Sequence, residues 1–209
     1  LRAGFEEKLK AFVENGGTLV GTYHTGLVNE NDLCYLGGWP GAGLGEVFGL
    51  WHEDTDSLWD DEHNTLRLAD GREYGLKEIC ALIHPRGAQV LGSYGEDFYQ
   101  GEAALTVNQY GRGRAYYIAS FGEDALYRDL YQKLAGELSL KRALEDLPPE
   151  GVEACLRENG EAQYLFLQNF SGRQQQVSLP QGYASLEGEP VQEASLAPYD
   201  GQVFCREKR

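Results

Sequence analysis

The chain has 209 residues, 42% apolar and 24% charged, which fits one large globular domain or two small ones. A formal charge of −15 leaves no basic face to replace phosphate counterions, which argues against nucleic acid and anionic membrane as partners. No apolar run approaches twenty residues, so no membrane-spanning helix is expected.

The chain opens at Leu1, contains no Met and enters a helical pattern at once, the expected mark of a piece of a longer protein. Phe5, Leu9, Phe12 and Val13 recur at helical spacing, and Asn15-Gly16-Gly17 stops that helix. Thr18 to Tyr23 is a short apolar run with branched residues, expected as a buried parallel strand. Gly43 to Leu50 predicts a short helix and Trp51 to Leu58 an extended segment. Short strands follow at Leu66 to Leu68, Glu78 to Ile83, Gln89 to Tyr94, Ala104 to Tyr110 and Arg114 to Ala119. The last two flank the hairpin signal Gly111-Arg112-Gly113. Leu126, Leu130, Leu134 and Leu138 line one face of a long helix, with Lys141 and Arg142 expected at its end.

Leu147-Pro148-Pro149 ends the helical pattern and divides the chain into residues 1–146 and 147–209. Beyond it all segments read as β. They are Val152 to Leu156, Tyr164 to Phe170, Val177 to Leu179, Ala184 to Leu186, Ala194 to Leu196 and Gln202 to Cys205, and a small antiparallel sandwich is expected. Arg206, Lys208 and Arg209 are expected to form a frayed tail.

The strand ending at Tyr23 invites a test for chemistry. A triad amidotransferase presents a nucleophilic Cys at such a turn, but Gly21-Thr22-Tyr23-His24-Thr25-Gly26 has Tyr23 at that position, and Cys34 lies too far along. His24 is the best lone acid/base candidate, yet no Ser or Cys nucleophile accompanies it at an interpretable spacing. A histidine hydrogen-bonded at a strand end is the better reading. His52-Glu53-Asp54 and Asp60-Asp61-Glu62-His63 carry metal-ligand chemistry but are explained more cheaply as acidic surface. Gly41-Ala42-Gly43-Leu44-Gly45 fails the spacing of a phosphate loop and lacks its lysine. No catalytic residue, metal site or cofactor is therefore assigned. Trp39, Trp51 and Trp59, with Tyr23 and Tyr35, concentrate aromatic surface in a short span. Tyr35, Trp39 and Trp51 are the candidate contacts, at a subunit interface or with a sugar, and ordinary core packing is the competing reading of these aromatics. The four cysteines have no metal-knuckle spacing. Reduced thiols and a cytoplasmic location are expected, with a Cys155–Cys205 pairing left open.

Longer motifs carry a resemblance. Gly16-Gly17, Thr22-Tyr23, Gly26, Val28-Asn29-Glu30-Asn31-Asp32 and Leu36-Gly37-Gly38-Trp39-Pro40-Gly41 fall in order, followed by Tyr94-Gly95-Glu96-Asp97-Phe98-Tyr99 and Val107-Asn108-Gln109-Tyr110-Gly111-Arg112-Gly113-Arg114-Ala115-Tyr116-Tyr117. These resemble the trimerisation domain of the family 42 glycoside hydrolases, the bacterial β-galactosidases. Leu147 to Glu153 and Phe166 to Phe170 resemble the family's small C-terminal β domain. The resemblance implies a flavodoxin-like or amidotransferase-like α/β domain, incomplete at its start and without its own activity, followed by an all-β antiparallel sandwich. It implies a homotrimer assembled through the first domain. It also implies retaining hydrolysis of terminal β-D-galactosides by two glutamates about 5 Å apart on a preceding TIM barrel. No residue here matches those glutamate motifs, so the chain alone is expected to be inactive.

Overall fold

The computed structural model describes residues 1–208, which fall into two compact units, Leu1–Leu134 and the remainder from Ala135 on. Arg209 lies outside the described residues.

The first unit begins with α1 (Phe5–Glu14). Gly16 takes a φ of 107° just past its end, and Gly17 N–H donates to Phe12 O, so the Gly-Gly pair closes the helix as its sequence predicts. The apolar stripe is used unevenly. Val13 is fully buried, whereas Phe5 and Phe12 stay exposed. Next come β1 (Thr18–Thr22), α2 (Leu44–Phe48), β2 (Leu50–Ser57), β3 (Asn64–Leu68), β4 (Glu73–Pro85), β5 (Gln89–Tyr94), β6 (Ala103–Tyr110), β7 (Gly113–Ile118), β8 (Ser120–Gly122) and α3 (Asp124–Glu137).

All eight strands of this unit join one mixed sheet in the order β1-β7-β6-β5-β3-β4-β2, with β8 alongside β4. The expected parallel strand is present: β1 pairs parallel with β7, Val20 opposite Tyr116. Every other ladder in the sheet is antiparallel. The reason is local. The connections from β3 to β7 are mostly tight turns, and tight turns join antiparallel strands, whereas a parallel pair needs a long crossover. The core lies on the sheet and under α3, with Phe48, Leu66, Leu76, Ile83, Tyr94, Tyr117, Ile118 and Leu126 buried. Leu126, Leu130 and Leu134 face this core as their spacing requires. The helix ends at Glu137, so Leu138 is exposed, and Lys141 and Arg142 lie beyond the last turn rather than in it.

The second unit contains β9 (Val152–Glu158), β10 (Ala162–Asn169), β11 (Gln175–Ser178), β12 (Glu193–Leu196) and β13 (Gly201–Glu207). β10 is the centre of a three-stranded antiparallel sheet with β9 and β13, and β11 pairs with β12. Both sheets feed one core, which holds Leu165, Leu167 and Phe204 from the first and Val177, Ala194 and Leu196 from the second. The unit is therefore a small antiparallel β domain, as its alternating pattern predicts. Ala184 to Leu186 departs from that expectation. It forms only single bridges from Ala184, to Pro190 and to Cys205. Arg206 and Lys208 are not frayed. Arg206 Nη1 donates to Gln181 O at 3.2 Å, and Lys208 Nζ donates to Asn159 O at 2.8 Å. All four cysteines are free. Cys155 on β9 and Cys205 on β13 stand on opposite sides of β10, across from Phe166 and Tyr164.

Candidate functional site

The segment between β1 and β2 holds most of the residues singled out by the sequence. Thr22 N–H donates to Thr25 Oγ1 at 2.9 Å, which turns the chain sharply after β1. Tyr23 packs against the core, with its ring edge-on to that of His24 at 4.6 Å, and His24 is exposed. Among the described residues the ring contact of His24 is with Tyr23. Asn29 Oδ1 accepts the N–H groups of Asn31 and Leu33, forming a tight side-chain-capped loop. Tyr35 N–H then returns to Leu27 O at 3.0 Å.

The glycines of this segment serve close approach. A Cβ on Gly41 would lie 2.2 Å from the Tyr35 ring, and one on Gly21 would lie 2.4 Å from Phe48. Gly43 opens α2 in the left-handed region, with a φ of 75°. These contacts account for the Gly41 to Gly45 run without any phosphate.

Trp39 and Trp51 meet, but Tyr35 does not join them. A cavity of about 250 Å³ is lined by Trp39, Pro40, Leu50, Trp51, Glu46 and Arg86 among others, while Tyr35 is pressed onto Gly41. The Trp51 ring at this cavity is engaged by protein groups. The Trp51 ring stacks on His84 with centroids 4.6 Å apart and 24° between planes, and the Arg86 guanidinium lies 5.5 Å from its centroid. His84 in turn is paired with Glu53. The Trp39 ring meets His52 edge-on at 5.7 Å, and His52 N–H donates to Trp39 O at 2.8 Å. His52 is only 3% exposed. Burial pushes its pKa below the usual histidine value, partly offset by its hydrogen bond to Asp54 O.

Trp59 separates from this group. It lies past the far end of the eight-residue β2, a strand about 25 Å long, and is 76% exposed. Phe98, in the β5–β6 loop, is 80% exposed. The two loops are tied by buried Asn64, whose side chain donates to Glu96 O and accepts Glu96 N–H. Phe98 sits within one of the motifs quoted above, but nothing in its spacing distinguished it from core. The metal candidates do not gather, since among the described residues no group of three or more His, Cys, Asp or Glu could hold a metal ion. No helix in the described residues is long and apolar enough to cross a membrane.

Comparison with known proteins resolves the family. Residues 1–141 match the β-galactosidase trimerisation domain and residues 151–204 the β-galactosidase C-terminal domain, both models of family 42 glycoside hydrolases. The chain belongs to the family 42 β-galactosidases. It is 42% identical to the β-galactosidase BglY of Alicyclobacillus acidocaldarius over 97% of this chain, and 41% identical to the β-galactosidase Pbg of Clostridium perfringens over 99%. It spans 29% and 31% of those relatives' lengths. The solved β-galactosidase from Rahnella sp. R3 matches it with a TM-score of 0.83 at 41% identity, over all of this chain and 31% of that one. The chain is thus the C-terminal, non-catalytic part of such a β-galactosidase, related to trimerisation, and a trimerisation domain implies self-association. A carbohydrate-binding module is not favoured, because the chain matches the trimerisation and C-terminal domains of β-galactosidases along its length.

Proposed function

We propose that this chain is the assembly portion of a homotrimeric β-galactosidase. Residues 1–146 bring three subunits together and residues 147–209 form the appended β domain. The trimerisation-domain match across residues 1–141 carries this reading. In it, hydrolysis of terminal β-D-galactosides with retention belongs to a TIM barrel outside this chain, and the chain supports that active site by fixing the subunit arrangement. The α1–β1–β7 arrangement, with its parallel ladder, is the flavodoxin-like element of the domain. Tyr35, Trp39 and Trp51 serve the interface rather than a sugar, in keeping with rings already stacked on His84 and set edge-on to His52. A cytoplasmic setting agrees with four free cysteines.

Assay of the 209-residue chain on a chromogenic β-galactoside tests the division of labour. No turnover is expected. Turnover that His24→Ala abolishes would overturn it.

A further inference from the structure

His52 makes an unusual junction. Its Nε2 lies 2.7 Å from Asp54 O, which only accepts, so Nε2 carries the proton, and Thr55 Oγ1 lies 2.9 Å from the same nitrogen. Nδ1 is therefore the bare acceptor. It is buried and finds no protein partner among the described residues, and neither does the buried Nε1–H of Trp39, whose ring meets the imidazole edge-on. The same two residues share the backbone bridge that holds the Leu36 to Gly41 segment to the edge of β2.

We propose that His52 is an acid-sensitive latch: its uncharged ring holds the Trp39 segment against β2, and protonation at Nδ1 releases that segment. The chemistry runs one way. Protonation turns Nδ1 from acceptor into donor, places a charge in a site 3% exposed, and leaves the new Nδ1–H buried with no protein acceptor among the described residues. Two charged or titratable groups act on the ring, Asp54 and His24. Asp54 on β2 attracts a proton to His52, but its Oδ1 is engaged by Thr55 N–H, and the exposed His24 on the loop after β1 opposes a second positive ring. From β4 the residue opposite His52 is Ile83, while His84 faces Trp51 and Glu53. Because the folded ring protonates less readily than a free one, the stabilisation is complete above about pH 6.5 and is lost as pH falls from there through the folded value. The latch does not depend on the assembly reading, since it concerns one segment of one subunit.

The test is 19F NMR of the full chain carrying 5-fluorotryptophan, titrated from pH 8 to pH 5, with the three resonances assigned by single Trp→Phe variants. The Trp39 resonance is expected to move or broaden at acid pH while Trp59 stays fixed and far-ultraviolet circular dichroism is unchanged. His52→Gln, which keeps an N–H donor but cannot charge, removes that transition. A Trp39 resonance unaffected down to pH 5, or a transition that persists in His52→Gln, overturns the proposal. Should that variant not fold, imidazole carbon NMR of the unmodified chain decides. His52 must titrate in step with Trp39, and a ring that titrates without it refutes the latch.

Discussion

Trp51 and His84 form a stacked pair across the β2–β4 ladder, where they stand directly opposite in register. The geometry joins the start of one strand to the end of the other. Trp51→Ala is expected to lower stability by about 2–3 kcal/mol, less than a fully buried tryptophan because the side chain is only partly buried. A double-mutant cycle with His84→Ala should give a coupling of about 0.5–1.5 kcal/mol. Galactose and lactose at millimolar concentration should leave tryptophan emission unchanged. A saturable response would restore the sugar reading.

The β6–β7 hairpin is seated against the end of α1 by Gly113. A Cβ there would stand 2.2 Å from both Val13 O and Gly17 O, and backbone atoms cannot step aside. Gly113→Ala is therefore expected to cost about 3 kcal/mol. Gly136 is the contrasting case, since it is exposed within α3 and nothing lies within 4 Å of an added Cβ. Gly136→Ala should stabilise by about 0.5–1 kcal/mol. Chemical denaturation of both variants checks the pair.

Asn169 organises the small β domain. Its buried amide donates to Arg173 O at 2.7 Å and Ala197 O at 2.8 Å, and its carbonyl accepts Ser171 N–H and Oγ–H. Asn169→Ala is expected to destabilise this domain by about 3 kcal/mol, because several buried groups lose their partners together. Asn169→Asp should not rescue it, as a carboxylate would face two carbonyls. Recovery to wild-type stability would contradict the network.

Thiol labelling reads burial directly. Cys34 is exposed, whereas burial pushes the Cys80 thiol up to about 11. At pH 8 a disulfide reagent should modify Cys34 rapidly and reach Cys80 only on unfolding, since the thiolate is the reactive form. Cys80→Ser should leave the fast phase intact.

Much of this was legible in the chain, and the exceptions have local causes. The Gly111-Arg112-Gly113 signal gave the hairpin because glycine chemistry and flanking alternation agree there. β5 matched its expected bounds at Gln89 and Tyr94 for the same reason. β8 leaves no sequence signal, because Ser120 to Gly122 is too short to show a period. β4 extends to Glu73, past Gly75, a residue that ordinarily weakens a strand but here lies opposite Thr65 in the ladder. The α1 stripe was visible, but which of its residues are buried depends on neighbours far along the chain. The same holds at the candidate site: sequence proximity put three tryptophans together, and β2 sends Trp59 to its opposite end. The partners that occupy the rings, His84 and Arg86, come from β4 and the residue after it, which no local spacing could reveal.

Sedimentation equilibrium of the 209-residue chain over a wide concentration range tests the central claim most directly. A species of three times the 23.2 kDa chain mass is expected. A strict monomer at every concentration would contradict it.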